Sequence, residues 1–352
     1  MDIRKAWPRE VSFIVRDKKV GLTLGKFAPL HRGHQYLIET AIAEMDEVIV
    51  VIYDSPEVTR IPLPVRSQWI RQLYPTVEVI EAWDGPNAMG DSPEVKRIQE
   101  NYMLSILAER KISHFYSSEF YGEHMGLALG AVNRLVDCER EVVPISGTVI
   151  RGSTYENKAF IHPQVYRDLV TSVVFLGAPS TGKTTIAARM AVEYRTVWMP
   201  EYGRDYWEQH HIEHRLTAEQ LVEIAEGHLA KEEVLLAEAN EYLFVDTNAI
   251  TTYMFALDYH GAALPELGEM AVAAASRYDL VFVCGDDIPY DDTEDRSGEV
   301  HRAIFQKKII ADLLHRKIPF ILLTGNLVAR IEQVKAILAR YSKYQSLGDL
   351  II

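Results

Sequence analysis

Two apolar runs, VGLTLG at 20–25 and SVVFLG at 172–177, each pass straight into a glycine-bearing loop and then a helix-patterned stretch. A strand that turns on glycine into a helix opens a parallel α/β layer. The turn and the helix start offer main-chain N–H groups to an anion. Five further short runs read as buried strands: EVIVVIYD (47–54), VEVIEAW (77–83), EYLFVDT (241–247), DLVFVCG (279–285) and PFILLTG (319–325). They are separated by stretches with helical spacing, such as HQYLIETAIAEM, which places Leu37, Ile38, Ala41, Ile42 and Met45 on one face. The expectation is two parallel α/β domains in 352 residues. TYENKAFIHPQVYRDLV (154–170) reads as a helix, a His-Pro break and the lead-in to a new strand, which sets domains of 1–168 and 169–352. One large doubly wound sheet is the alternative; it is disfavoured because each half carries its own loop after its own first strand.

Composition narrows the partners. A net charge of −13 opposes general nucleic-acid binding and an anionic membrane surface, yet local donors can still hold a phosphate. Cys138 and Cys284 sit at the edges of apolar runs without metal-like neighbours, so neither a disulfide scaffold nor a zinc site is expected, and a cytoplasmic location fits. No run approaches the about 18 apolar residues of a membrane span. The N-terminus mixes both charge signs and lacks the apolar core of a signal peptide.

The first loop reads GKFAPLHRGH (25–34). Gly25 turns the chain off the strand, Pro29 stiffens the loop, Gly33 allows close backbone approach and His34 begins the helix. His31 and His34 can donate to phosphate oxygens and offset charge on a departing group. A metal pair or a plain surface loop are the competing readings, and no third ligand cluster is evident. The full G-x-F-x-P-x-H-x-G-H string resembles the signature of the nucleotidyltransferase superfamily, Rossmann-like enzymes that join a nucleotide α-phosphate to an acceptor and release pyrophosphate. The resemblance implies nucleotide contacts from Gly25, Lys26, Phe27 and Gly33, with His31 and His34 catalytic. ISGTVIR (145–151) resembles the superfamily's second signature. There Ser146 or Thr148 caps a helix, and Arg151, expected in its first turn, aims a guanidinium at a triphosphate. FYSSEFYGEHM (115–125) resembles the nucleotide-holding stretch of nicotinamide mononucleotide (NMN) adenylyltransferases, through Ser117, Ser118 and Glu119; a bare strand-to-helix turn is the simpler reading. Trp83 is a candidate to stack on a nicotinamide ring, or is a buried core residue.

The second loop, GAPSTGKTT (177–185), fits G-x4-G-K-S/T between a strand and a helix. Gly177, Ser180, Thr181, Gly182, Thr184 and Thr185 are expected around a polyphosphate, with main-chain N–H groups from Ala178 onward as the cradle. Lys183 would bridge the β- and γ-phosphates and Thr184 would face Mg²⁺. In MPEYGRDYW (199–207), Glu201 is the candidate base toward an attacking hydroxyl and Arg204 a phosphate partner; a capping carboxylate at a helix start is the other reading. Asp246, at a strand end, suits an outer Mg²⁺ position or ribose hydroxyls, and the sequence does not separate these. GDDIPYDDTEDRSGEVHR (285–302) holds seven carboxylates from Asp286 to Glu299 and reads as a lid or a solvated loop, with Arg296 kept as a site candidate. Asn326 and Arg330 follow the last strand, where an adenine contact is expected.

An H-x-G-H transferase followed by a P-loop kinase resembles the NadR-type bifunctional family over about residues 20–340. The resemblance implies two Rossmann-like/P-loop parallel-sheet domains in tandem and two ATP sites with Mg²⁺. It also implies NMN, nicotinamide riboside and NAD as ligands. Some members begin with a helix-turn-helix repressor domain. The roughly twenty residues before VGLTLG are too few for one, so DNA binding is not expected. Two rivals stand beside this. One is an adenylyltransferase for another phosphorylated acceptor, such as a pantetheine or sugar phosphate, fused to a different kinase. The other is a non-catalytic nucleotide sensor. Self-association and association with a nicotinamide riboside transporter are left open.

Overall fold

The computed structural model describes residues 18–86, 90–119, 122–210, 216–290 and 299–345. The chain divides into two compact units between Gly147 and Thr148. The first unit contains β1 (Val20–Gly25), α1 (Arg32–Glu44), β2 (Glu47–Tyr53), α2 (Leu63–Leu73), β3 (Glu78–Ala82), α3 (Pro93–Leu107), β4 (His114–Ser117), α4 (Gly122–Leu129) and β5 (Val132–Leu135). Its strands form one parallel sheet in the order β3-β2-β1-β4-β5. A short helix, α5 (Gly147–Gly152), begins at the division.

The second unit continues with α6 (Pro163–Leu169), β6 (Thr171–Leu176), α7 (Lys183–Glu193), β7 (Trp198–Met199), α8 (Tyr202–His210) and α9 (Ala218–Glu238). There follow β8 (Tyr242–Asp246), α10 (Ala249–His260), α11 (Pro265–Ala273), β9 (Leu280–Cys284), α12 (Glu299–His315), β10 (Ile321–Leu323) and α13 (Leu327–Leu338). Its sheet is also parallel, in the order β10-β9-β6-β8-β7. The α/β class and the seven expected strands stand. β4, β5 and β7 are additional: β7 has two residues, and β5 reads VNRL, whose Val132 and Leu135 are exposed at the sheet edge. Neither makes an apolar run.

Both sheets bury their middle strands on both faces, which is why those strands read as unbroken apolar runs. All six residues of β6 are buried, and Phe175 stacks between Phe244 and Phe282 of its two neighbours. Leu22, Ile49, Val51 and Phe115 form the corresponding core of the first unit, closed by Met103 and Leu107 of α3. On α1 the expected face is confirmed, with Leu37, Ile38 and Ala41 buried and Ile42 and Met45 half-buried.

The division at 147/148 precedes the expected boundary at 168/169. Residues beyond it are tied to the end of α9. Tyr166 donates its hydroxyl to the Ala239 carbonyl at 2.6 Å, Lys158 Nζ donates to Ala237 O at 3.2 Å, and Arg167 pairs with Glu233 at 3.1 Å. His162-Pro163 is no break after a helix: only a 3₁₀ turn, Lys158–Phe160, precedes it. His162 caps α6, its ring nitrogen accepting from Gln164 N–H, and Pro163 occupies the first helical turn.

Candidate active site

In each sheet the phosphate-type loop leaves the central strand, β1 or β6, at its carboxyl end. That strand has neighbours on both sides, and open α/β sheets bind ligands there. In the first unit α1 starts at Arg32, so His34 lies within its first turn and His31 is the cap. The His31 Nδ1 accepts the Gly33 N–H at 3.2 Å. A neutral imidazole that accepts at Nδ1 carries its proton on Nε2, which sets this ring as a donor there. The two imidazoles stack at 3.7 Å between centroids, and the Phe27 ring lies 4.8 Å from His34. Gly33 has a specific reason to be glycine: a Cβ there would lie 3.1 Å from the His31 ring.

The loop is held from behind by Arg66 of α2, which is fully buried. Its guanidinium donates to the carbonyls of Lys26 (2.6 Å), Tyr53 (2.8 Å) and Ile61 (2.9 Å) and lies 3.6 Å from Asp54. Burial lowers its pKa, and Asp54 and Glu57 oppose that shift. Arg66→Ala leaves three carbonyls unpaired, and a loss of about 3–5 kcal/mol is expected. Denaturant unfolding, monitored on the first unit, reads it; a loss under about 1 kcal/mol would mean water replaces the guanidinium.

Trp83 stands exposed just beyond β3, against the reading of a buried core residue. Ser117 is buried at the end of β4 and donates to Glu119 O at 3.2 Å; Ser118 is half-buried and Glu119 exposed. Ser146 directly precedes α5. Arg151 falls in the last turn of that six-residue helix rather than its first, because the helix is barely longer than one turn, and it donates to the Thr148 hydroxyl at 3.1 Å.

In the second unit the loop from Gly177 to Thr184 has positive φ at Gly177 (φ 140°), Ser180 (φ 59°) and Gly182 (φ 82°), the kind of backbone that anion-binding nests use. A Cβ at Gly177 would lie 2.8 Å from the Cys284 carbonyl. Lys183 Nζ donates to Ala178 O at 3.0 Å, and the buried Thr181 hydroxyl donates to the same carbonyl at 2.8 Å. The Thr181 side chain therefore serves the loop itself. The Ala178 N–H is likewise occupied, donating to Gln306 Oε1 at 2.8 Å, so the cradle begins after Ala178 rather than at it. Thr185 is exposed on α7.

Thr184 donates its hydroxyl to Asp246 Oδ2 at 2.5 Å. Asp246 is fully buried, and its other oxygen has no hydrogen-bond partner among the described residues. Its pKa is raised to about 6: burial first and the Glu201 carboxylate second push it up, against the pull of Lys183, Thr184 and Arg204. Glu201, just ahead of α8, lies 3.4 Å from Arg204. Five residues singled out from three separate stretches of sequence thus share one electrostatic neighbourhood.

Arg330 departs from expectation. It is buried, and its guanidinium is engaged by Thr181 O, Gly285 O, Gly325 O and Asp287. Asn326 is exposed and caps α13 through the Ala329 N–H. Arg296 and most of the acidic stretch around it lie outside the described residues, as do residues 1–17 ahead of β1, on which the reading against a repressor domain rests. Sequence reasoning misses Arg66 and Gln306 and keeps Arg296 rather than Arg302, yet all three of these side chains, Arg66, Gln306 and Arg302, meet main-chain atoms far away in sequence.

A family profile described as an AAA domain matches residues 172–330, just under half of the chain. The trifunctional NAD biosynthesis/regulator protein NadR of Salmonella typhimurium is 29% identical over 334 residues, covering 88% of this chain and 80% of that protein. The Escherichia coli NadR is 28% identical over the same share. This chain is similar to both proteins over most of its length. The likeness extends to the fold. A NadR crystal structure in complex with NAD and AMP-PNP and another in complex with NR each superpose with a TM-score of 0.54 at 23% identity, over 92% of this chain and 96% and 95% of theirs. Among the described residues no helix is long and apolar enough to cross a membrane, and among the same residues no group of three or more His, Cys, Asp or Glu is placed to hold a metal ion by itself.

Proposed function

We propose that the chain makes NAD in two steps. The second unit moves the ATP γ-phosphoryl to the 5′-hydroxyl of nicotinamide riboside, giving NMN. The first joins the NMN phosphate to the ATP α-phosphorus, giving NAD and releasing pyrophosphate. The observation that carries this is the gathering of Lys183, Thr184, Asp246, Glu201 and Arg204 at the mouth of the β6 loop. A phosphate loop alone binds; a loop with a buried carboxylate beside its threonine and a second carboxylate at hand has the parts for phosphoryl transfer. The likeness to NadR supplies the substrates.

Mg²⁺ fits the donor set. The Thr184 hydroxyl and the Asp246 carboxylate are hard oxygen ligands, one Asp246 oxygen has no protein partner, and magnesium is ordinarily completed by water and substrate phosphates. Bound there, the ion would offset charge between the β- and γ-phosphates. Glu201 takes the proton of the attacking hydroxyl, and Arg204 supplies positive charge beside it. Ribose binding is the other use open to Asp246.

The adenylyl step needs no base, because the NMN phosphate is already ionised. Positioning and charge stabilisation suffice. His31 and His34 hold the phosphates, Trp83 stacks on the nicotinamide, and Ser146 serves the triphosphate as the resemblance implies. His34→Ala is expected to lower NAD formation from NMN roughly 10²-fold or more with the fold intact. Near-normal turnover would remove the phosphate role, and restoration by zinc would favour a metal pair.

The test of the whole reading is incubation with ATP, Mg²⁺ and nicotinamide riboside, with NMN and NAD followed by chromatography. NMN and then NAD are expected. Pyrophosphate release with a pantetheine or sugar phosphate, and none with NMN, would overturn the substrate assignment. Binding without turnover would make the chain a sensor.

A further inference from the structure

We propose that Arg330, together with Gln306 and Arg302, is a positioning residue that sets the peptide planes of the 177–185 loop before any nucleotide arrives. In a trans peptide the C=O of one residue and the N–H of the next point in opposite directions. Fixing a carbonyl on the outside of the loop therefore fixes the following N–H on the inside. Arg330 Nη1, from α13, donates to the Thr181 carbonyl at 2.7 Å, which directs the Gly182 N–H inward. Arg302 Nη1, from α12, donates to the Ser180 carbonyl at 3.4 Å, which directs the Thr181 N–H inward. Gln306, also on α12, accepts the Ala178 N–H at 2.8 Å and donates to Cys284 O at 2.9 Å, anchoring the loop's first peptide to the end of β9.

All three side chains are 5% exposed or less. Arg330 is also the hub of the surrounding strand ends: Nη2 donates to Gly285 O at 3.0 Å and Nε to Gly325 O at 2.8 Å, and the guanidinium pairs with Asp287. The ends of β9 and β10 and the phosphate loop thus share one planar fork, which lysine cannot reproduce. A loop arranged in advance does not spend binding energy on ordering itself, so the effect belongs to polyphosphate affinity.

The inference rests on reading this loop as a polyphosphate site, and its test uses inorganic tripolyphosphate, which needs no acceptor. In the full chain, Arg330→Lys is expected to weaken tripolyphosphate binding by roughly tenfold or more in calorimetry. It should raise the KM for ATP in riboside phosphorylation by a similar factor, with the KM for riboside unchanged. Gln306→Met unties the loop from the other helix and is expected to act in the same direction, so the test survives if the arginine variant does not fold. A merely structural role would lower the melting temperature and leave the tripolyphosphate affinity of the folded fraction alone. Affinity within about twofold of the parent in a folded variant overturns the proposal, as does an unmodified chain that fails to bind tripolyphosphate. An unmodified chain that binds tripolyphosphate but does not phosphorylate the riboside would sink the kinase reading and leave this one standing.

Discussion

Lys183→Ala is expected to abolish conversion of nicotinamide riboside to NMN while NMN and ATP still give NAD. Lys183 is buried at the start of α7, with its ammonium held at the Ala178 carbonyl. It is the charge that would follow the γ-phosphoryl group through transfer, and losing such a group costs at least ~10²–10³-fold. The loop tolerates the change, because the Thr181 hydroxyl still donates to Ala178 O. His31 and His34 belong to the other compact unit. Paired replacement of both histidines by alanine is expected to give the opposite phenotype, with NMN accumulating and no NAD. Mixing the two variants should restore riboside-to-NAD conversion, since NMN can diffuse between molecules. Chromatography of the four reactions reads the result. Loss of adenylyl transfer in folded Lys183→Ala would mean that both loops serve a single reaction.

The second large effect sets stability against activity. Asp246→Asn is expected to stop phosphorylation and yet raise the melting temperature at pH 7. Burial is the main reason the Asp246 carboxyl titrates near 6 in the folded chain, against 3.8 without its surroundings. Keeping it ionised therefore costs the fold up to about 3 kcal/mol at neutral pH, with the Thr184 hydrogen bond already counted in the shift. The sign follows from the raised value. The cost is absent below pH 4, grows as pH rises toward 6 and is constant above it. The stabilisation by asparagine should be full at pH 7 to 8 and shrink away between pH 6 and 4. Thermal unfolding across that range decides, and a variant less stable than the parent at pH 7 would show that Thr184 and Lys183 more than offset the burial.

What could be read from the chain beforehand was whatever is local. The strand, loop and helix of each phosphate site lie within about thirty consecutive residues, and both were found in register with their strands. The partial misses have the same cause. β5 is too polar and β7 too short to announce themselves, and both are strands only because β4 and β8 are there to pair with them. Arg330 reads as a nucleotide contact because it follows the last strand, and its engagement by the carbonyls at Thr181 and Gly285 is invisible in the sequence. Arg66 gave no signal at all: its partner at Lys26 is forty residues away, and nothing in a lone helical arginine announces a carbonyl. The division between the units was displaced because residues 148–168 find their anchors at Ala237 and Ala239, far ahead in the sequence.

The strand orders also set a timetable for synthesis. β1 gains β2 within about 30 residues but pairs with β4 only about 90 residues later, at Gly21 with His114. β6 must wait about 70 residues for its first neighbour, Thr171 against Tyr242, and longer for β9. At a ribosomal pace of about 5–20 residues per second, the central strand of the second unit's sheet stays unpaired for roughly 4–14 seconds after it is made. Parallel pairing over such separations is slow by nature. The nascent chain is therefore most prone to clumping, and most in need of a chaperone, in the interval between the emergence of Leu176 and that of Tyr242.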